Sequence, residues 1–265
     1  MLKRMGMQRP IIQAPMAGVS SPAMAAAVTN AGGLGSLGVG AAGAEGARQM
    51  IRDTRAATDG PFHINVFCHQ PARADAQVET AWLTRLAPVF ETYGARPPED
   101  LSEIYTSFLT DDAMLQVLVQ ERPAIVSFHF GLPDADRIAA LRAAGITLMS
   151  SATSLAEGQA AQTAGMDAVI AQGWEAGGHR GCFDPEARDD RLGCLALTEQ
   201  LARVLDVPVI AAGGIMTGAG VAAALAVGAA AAQLGTAFIG CPESLADDGY
   251  RAALVGGGAL HTTMT

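Results

Sequence analysis

No run of lysine or arginine occurs anywhere in the sequence, and acidic residues outnumber basic ones to leave a formal charge of -9. That balance argues against a nucleic-acid backbone or an anionic membrane as partner, so any anionic ligand has to be held by local groups. Cysteine is scarce as well. Cys68, Cys182, Cys194 and Cys241 form no CxxC pair and are too few for a stapled scaffold, which predicts a reducing, cytoplasmic setting. With His179 nearby, Cys182 and Cys194 make only a scattered set of soft ligands, and no metal site is assigned to them. A membrane span is also missing. Residues 207–242 carry no charged side chain, yet seven glycines, Pro208 and Pro242 make that run a strand, a helix and a strand inside a core. At the N-terminus, Pro10, Gln13 and Pro15 interrupt the apolar helix that a signal peptide needs.

What is present is apolar: half of the 265 residues, against 16% charged, enough for one large core or two small ones. Eight β-prone runs alternate with Ala-rich helical stretches. They are PIIQAPM (10–16), LGSLGV (34–39), FHINVF (62–67), AIVSFHF (124–130), TLMSSA (147–152), AVIAQG (168–173), VPVIAAG (207–213) and AAQLGTA (231–237). Ser21 followed by Pro22 opens the first helix and Gly32 closes it; Asp134 and Gly145 bracket another. This alternation predicts an α/β fold, a (β/α)8 TIM barrel, ahead of a doubly wound open sheet. The long stretch 68–123, with helical patterns over 82–93 and 111–120, is read as a helical insertion between strands three and four that covers the barrel mouth. Residues 1–67 and 124–265 then form the barrel, with a last helix drawn from 243–256. GGLGSLG (32–38) contains GxGxxG but follows a helix, the reverse of a dinucleotide fingerprint, and needs no ligand.

Polar residues near the ends of strands that are otherwise apolar carry the functional signal. Asn65, His129 and Gln172 close strands three, four and six, at the end where barrel enzymes assemble their sites. Alternation puts Ile125, Ser127 and His129 on the inner face of strand four, and Val126, Phe128 and Phe130 outside against helices. Gly213 and Gly214 follow strand seven, Gly235 and Thr236 strand eight. Backbone N–H groups and a hydroxyl there can bind phosphate without lysine. The loop QGWEAGGHRG (172–181) offers His179 as its one group able to exchange a proton near neutral pH. Trp174 reads as a packing residue, and Glu175 and Arg180, able to pair with each other or with the acidic stretch that follows, receive no role.

Taken together, PIIQAPMAG, NAGGLGSLG, QGWEAGGHRG, AAGGI and QLGTAF followed by Glu243-Ser244 resemble the nitronate monooxygenase family, specifically its class I members, over nearly the whole chain. GGH alone is shared with flavin-dependent enoyl-acyl-carrier-protein reductases. The resemblance implies an FMN-dependent enzyme that oxidises propionate 3-nitronate or alkyl nitronates with O2 to a carbonyl product and nitrite. It places the flavin phosphate on Gly213, Gly214, Gly235 and Thr236. The ring system falls to Ala14, Met16, Asn65, Gln172, Gly177 and Gly178, with Gln233 and Leu234 closing the strand-eight side. His179 matches the family's active-site histidine and His129 a second histidine at the mouth. Family members usually continue beyond strand eight with a basic segment, and this sequence ends at Thr265 without one. A flavin-binding barrel with impaired turnover therefore stands beside an FMN-dependent NAD(P)H reductase of an enoyl thioester or quinone as an alternative. Both monomer and homodimer are compatible with the sequence.

Overall fold

The strands of the computed structural model, which describes residues 5–260, all run parallel. The basic start at Lys3 and Arg4, and residues 261–265, lie outside the described residues. In chain order the strands are β1 (Ile11–Gln13), β2 (Gly35–Gly38), β3 (Phe62–Phe67), β4 (Ile125–His129), β5 (Thr147–Ala152), β6 (Ala168–Gln172), β7 (Val209–Ala212) and β8 (Ala231–Leu234). Each of the eight expected runs contains one of them. The order β1-β8-β7-β6-β5-β4-β3-β2 is closed by a bridge between Ile12 and Leu34, giving a nearly closed (β/α)8 TIM barrel.

The closing seam is thin. Gln13 N donates to Leu34 O and Leu34 N to Ile11 O, both at 3.0 Å, and β1 and β2 share no longer ladder. One further bond there comes from a side chain: Gln13 Oε1 accepts from Ser36 N at 2.8 Å.

Alternation sorts the strand residues into two cores. Ile12, Leu34, Ile125, Met149, Ala168, Ile170, Ile210 and Ala231 fill the barrel, joined by Met5 and Met7 from the segment before β1. Leu37, Ile64, Val66, Val126, Phe128, Leu148 and Val169 face outward and pack with helix residues such as Ile51, Leu118, Leu141 and Leu201. Burial on both faces is why the strands read as apolar runs.

Several helices begin where capping residues stand. Ser21 accepts from Met24 N to start α1 (Pro22–Asn30), and Asp134 accepts from Arg137 N to start α5 (Ala135–Ala143). The glycines of GGLGSLG serve packing: a Cβ on Gly35 would lie 1.9 Å from Ala25 O in α1. The charge-free run 207–242 holds β7, α8 (Gly218–Ala226), β8 and the short α9 (Thr236–Ile239). Among the described residues no helix is long and apolar enough to cross a membrane.

Segment 68–123 divides into two unlike parts. α4 (Asp112–Glu121) buries Met114, Val117 and Leu118 in the outer core. Its last residue, Glu121, takes ion pairs from Arg48, Arg52 and Arg55 of α2 (Gly43–Ala57), at 3.1, 2.8 and 3.1 Å. α4 therefore stands where the barrel's own helix between β3 and β4 belongs. α3 (Ala76–Thr92) buries none of its residues. Downstream, residues 105–108 fold back on the end of β3, with Phe108 N donating to Phe67 O at 2.8 Å. The remaining helices are α6 (Leu155–Thr163), α7 (Cys194–Val204) and α10 (Asp248–Val255), the last within the region expected for it.

Candidate active site

The barrel mouth gathers Asn65 from β3, His129 from β4, Gln172 from β6 and Gln233 from β8, as their places at the C-terminal strand ends require. Parallel register sets Asn65 beside Ser127 and Phe67 beside His129. Ser127, on the inner face with His129 as parity requires, is buried between strands, and Ser151 of the neighbouring β5, without a signal in the sequence, is buried as well.

The loop after β6 carries His179, and three side chains pin it. Gln172 Nε2 donates to His179 O at 2.8 Å while its Oε1 accepts from Gly181 N at 2.7 Å. These partners are donor-only and acceptor-only, so they fix which way the carboxamide points. His129 Nε2 reaches the same carbonyl at 3.2 Å, and its Nδ1 meets Ser151 Oγ at 2.6 Å. Burial pushes the His129 imidazole down to about 4, with the neighbouring His179 adding to the shift against their backbone hydrogen bond. A neutral ring with Nε2–H donating and Nδ1 accepting satisfies both contacts. Gly181 makes room for it, since a Cβ there would lie 2.3 Å from His129 Cε1.

Arg180 is the third clamp, and the structure gives it the partner the sequence left open. It forms a two-pronged pair with Asp189, Nε to Oδ2 at 2.7 Å and Nη2 to Oδ1 at 2.9 Å, and donates from Nη1 to Gln172 O at 2.7 Å. With the Arg180 side chain only 7% exposed, this is no solvated surface pair. The Arg180 hydrogen bonds hold the Asp189 carboxyl below its ordinary range. Trp174 packs between Arg180 and Arg191, 5.6 and 4.8 Å from its ring centre. Glu175 Oε2 accepts from Cys194 N at 2.7 Å, which caps α7 and places negative charge at its N-terminus.

While its carbonyl is held, the His179 side chain stands exposed at the rim. Phe67, Tyr105 and Phe130 surround its ring at centroid distances of 5.9, 6.0 and 5.6 Å. Phe130 departs from its expected outward position. A φ of 70° just past β4 turns its ring back onto His129, 4.4 Å away, so alternation ends with the strand. Tyr105 had no periodicity to reveal it.

The glycine turns converge against the start of the loop that carries His179. Gly213 and Gly214 adopt φ values of 120° and 67°, conformations open to glycine at little cost. A Cβ on Gly213 would meet Ala176 N at 2.9 Å, and one on Gly177 would lie 3.8 Å from Thr236 Oγ1. From Gly235 the neighbours are Ala14 Cβ and Met16 Sδ, each 3.6 Å from a Cβ built there, while a Cβ on Gly178 would meet open space. Ala14, Met16, Gly177, Gly178, Gly213, Gly214, Gly235 and Thr236 are therefore brought to one side of the mouth. Leu234 reaches it only through backbone, its carbonyl accepting from Ala14 N at 2.8 Å while its side chain joins the outer core.

Gln233 is different. Its Oε1 is buried without a hydrogen-bond partner among the described residues, an arrangement that is costly unless a donor arrives. An orphan acceptor and backbone turns stripped of side chains fit a planar heterocycle that brings a hydrogen-bond donor and a phosphate tail. Among the described residues no three His, Cys, Asp or Glu side chains are placed to hold a metal, and burial pushes the Cys194 thiol up to about 11 and that of Cys68 higher still.

The nitronate monooxygenase family model matches residues 1–265. A nitronate monooxygenase from Paraburkholderia phytofirmans is 66% identical over 265 residues, all of this chain and 72% of that protein. One from Pseudomonas aeruginosa is 54% identical over 98% of this chain and 74% of its own length. Among solved structures, a nitroalkane oxidase from Streptomyces ansochromogenes superposes with a TM-score of 0.89 at 42% identity, covering 97% of this chain and 73% of that one. The clamped histidine loop and the orphan acceptor of β8 are thus set in a chain that belongs, over its full length, to the nitronate monooxygenase family of oxidoreductases.

Proposed function

We propose that the protein binds FMN in the barrel mouth and oxidises nitronates, propionate 3-nitronate or alkyl nitronates, with O2 to a carbonyl product and nitrite. The observation that carries the cofactor reading is the orphan Gln233 Oε1 beside the Gly213–Gly214 and Gly235–Thr236 turns. When bound, FMN supplies the electron acceptor that relays electrons from substrate to O2.

The chain's own residues then divide the work. Backbone N–H groups of the two glycine turns and the Thr236 hydroxyl hold the phosphate, as a protein of net charge -9 without a lysine nearby must do. Asn65 and Gln233 address the ring edges, and the open backbone at Gly177 and Gly178 lets the ring approach. A nitronate is already an anion, so it calls for a hydrogen-bond donor more than a strong base. His179 supplies that donor at the rim. Phe67, Tyr105 and Phe130 pack against its ring and leave one face open at the rim, and the turn over 105–108 is the part of segment 68–123 that reaches the mouth. His129 acts by holding the His179 carbonyl, which sets the height of the histidine above the mouth.

The test is a visible spectrum of the purified protein followed by oxygen uptake with propionate 3-nitronate. Bound flavin and nitronate-dependent uptake are expected. Flavin without uptake overturns the activity, and bleaching of the flavin by NADH under anaerobic conditions would move the protein to the reductase reading. A colourless protein that takes up no FMN overturns the cofactor.

A further inference from the structure

Below the mouth, a buried hydrogen-bond relay crosses four strands. Gln13 Nε2 donates to Ser20 Oγ at 2.9 Å and also to Ala14 O, and Ser20 Oγ accepts from Met16 N at 2.9 Å. On its other side Gln13 takes Ser36 N, and Ser36 Oγ lies 2.9 Å from His63 Nδ1. His63 Nε2 is 2.6 Å from Ser127 Oγ, which accepts from Asn65 Nδ2 at 2.8 Å. Every side chain between the ends is buried, Gln13, Ser36, His63 and Ser127 completely so. The two ends are the β1 turn at Ala14–Met16 and Asn65, both flavin contacts in the reading above.

The geometry fixes the direction of the last link. Asn65 Nδ2 also lies 3.3 Å from the Ser127 carbonyl oxygen, which can only accept, so the amide nitrogen must face down and Oδ1 must face away from Ser127. The Ser127 hydroxyl supplies the shorter of the two bonds that hold Asn65 in that orientation, and that hydroxyl is in turn fixed by His63. Desolvation holds the His63 ring at about 3, hence neutral, with one nitrogen to donate and one to accept. No other residue type of similar size offers both from opposite edges of one ring.

We propose that His63 is a positioning residue: through Ser127 it holds Asn65 with Oδ1 presented as an acceptor for a ring N–H of the flavin, and through Ser36 and Gln13 it ties Asn65 to the β1 turn. The inference rests on the FMN reading and adds to it a residue remote from the ring.

A double-mutant cycle on FMN binding tests it, read as quenching of flavin fluorescence when apoprotein is reconstituted. Asn65→Ala, His63→Leu and Ser127→Ala should each weaken FMN binding about tenfold and shift the visible bands of bound flavin in the same sense. His63→Leu and Ser127→Ala should add little on the Asn65→Ala background, and His63→Gln should recover part of the loss. Ser127→Ala changes volume least and keeps the test valid where His63→Leu fails to fold. Equal losses in both backgrounds, or variants that bind FMN as the parent does with unshifted bands, overturn the proposal and leave the FMN reading intact. A parent protein that never quenches FMN overturns both.

Discussion

His129 Nε2 and the carbonyl oxygen of His179 lie 3.2 Å apart, so the two histidines at the mouth are joined through the backbone of one and the ring of the other. The ring of His179 is thereby left free of the contact that positions it. A side chain that must meet a substrate stands on a main chain that cannot drift. Removing the ring should accordingly spare the loop. His179→Asn is expected to lower nitronate turnover about 10²- to 10³-fold while FMN affinity stays within a few-fold, read by oxygen uptake and flavin titration. Loss of both together would make His179 a folding residue.

Gly181 faces the His129 ring, and Gly181→Ala would drive a methyl to within 2.3 Å of Cε1. The ring must move and release the His179 carbonyl. A stability loss of about 1–3 kcal/mol and a fall in kcat larger than the change in FMN affinity are expected, measured by denaturant titration and steady-state kinetics.

The orphan acceptor of Gln233 sets stability against binding. Replacing it with Met removes a buried polar atom that lacks a partner in the flavin-free protein. Gln233→Met should stabilise the apoprotein by about 1 kcal/mol and weaken FMN binding about tenfold. Thermal melts with and without FMN measure both, and destabilised apoprotein would contradict the role given to Oε1.

Two desolvated histidines make the protein acid-sensitive. The pKa of His63 lies near 3 and that of His129 near 4, both below the ordinary 6.5. The unfolded chain therefore binds more protons between those limits, and stability falls as pH drops from about 6.5 toward 4. His63 alone accounts for a loss on the order of 3–5 kcal/mol. Asp189, whose carboxyl is lowered by Arg180, gives stability that is present above its unfolded pKa and is lost at still lower pH. Calorimetry at fixed ionic strength should show the melting temperature falling through this window, and a flat profile would remove the histidines from the account.

The barrel was legible because parallel strands buried on both faces leave eight apolar runs, and because Asn65, His129 and Gln172 break the pattern at the strand ends. The same parity argument that turned Ser127 and His129 inward applies to His63 and Asn65, yet His63 sits near the start of β3, away from the mouth, where a lone polar residue signals nothing until β2, β3 and β4 are paired. Arg180 and Asp189 looked like surface charge since nothing in their spacing reports burial. Phe130 broke alternation through one left-handed residue, and Tyr105 arrives at the rim by a turn without periodicity. α4 was legible as a helix, but its membership in the barrel follows from its contact with α2.

The seam between β1 and β2 gives the closure of the barrel an unusual dependence. A main-chain ladder is indifferent to sequence, since almost any residue carries the same N–H and C=O. Here part of the closing work falls to the carboxamide of Gln13, whose oxygen takes the Ser36 amide. At this one join the identity of a side chain adds to two main-chain bonds, so a point mutation can weaken the closure of the whole cylinder without touching its backbone.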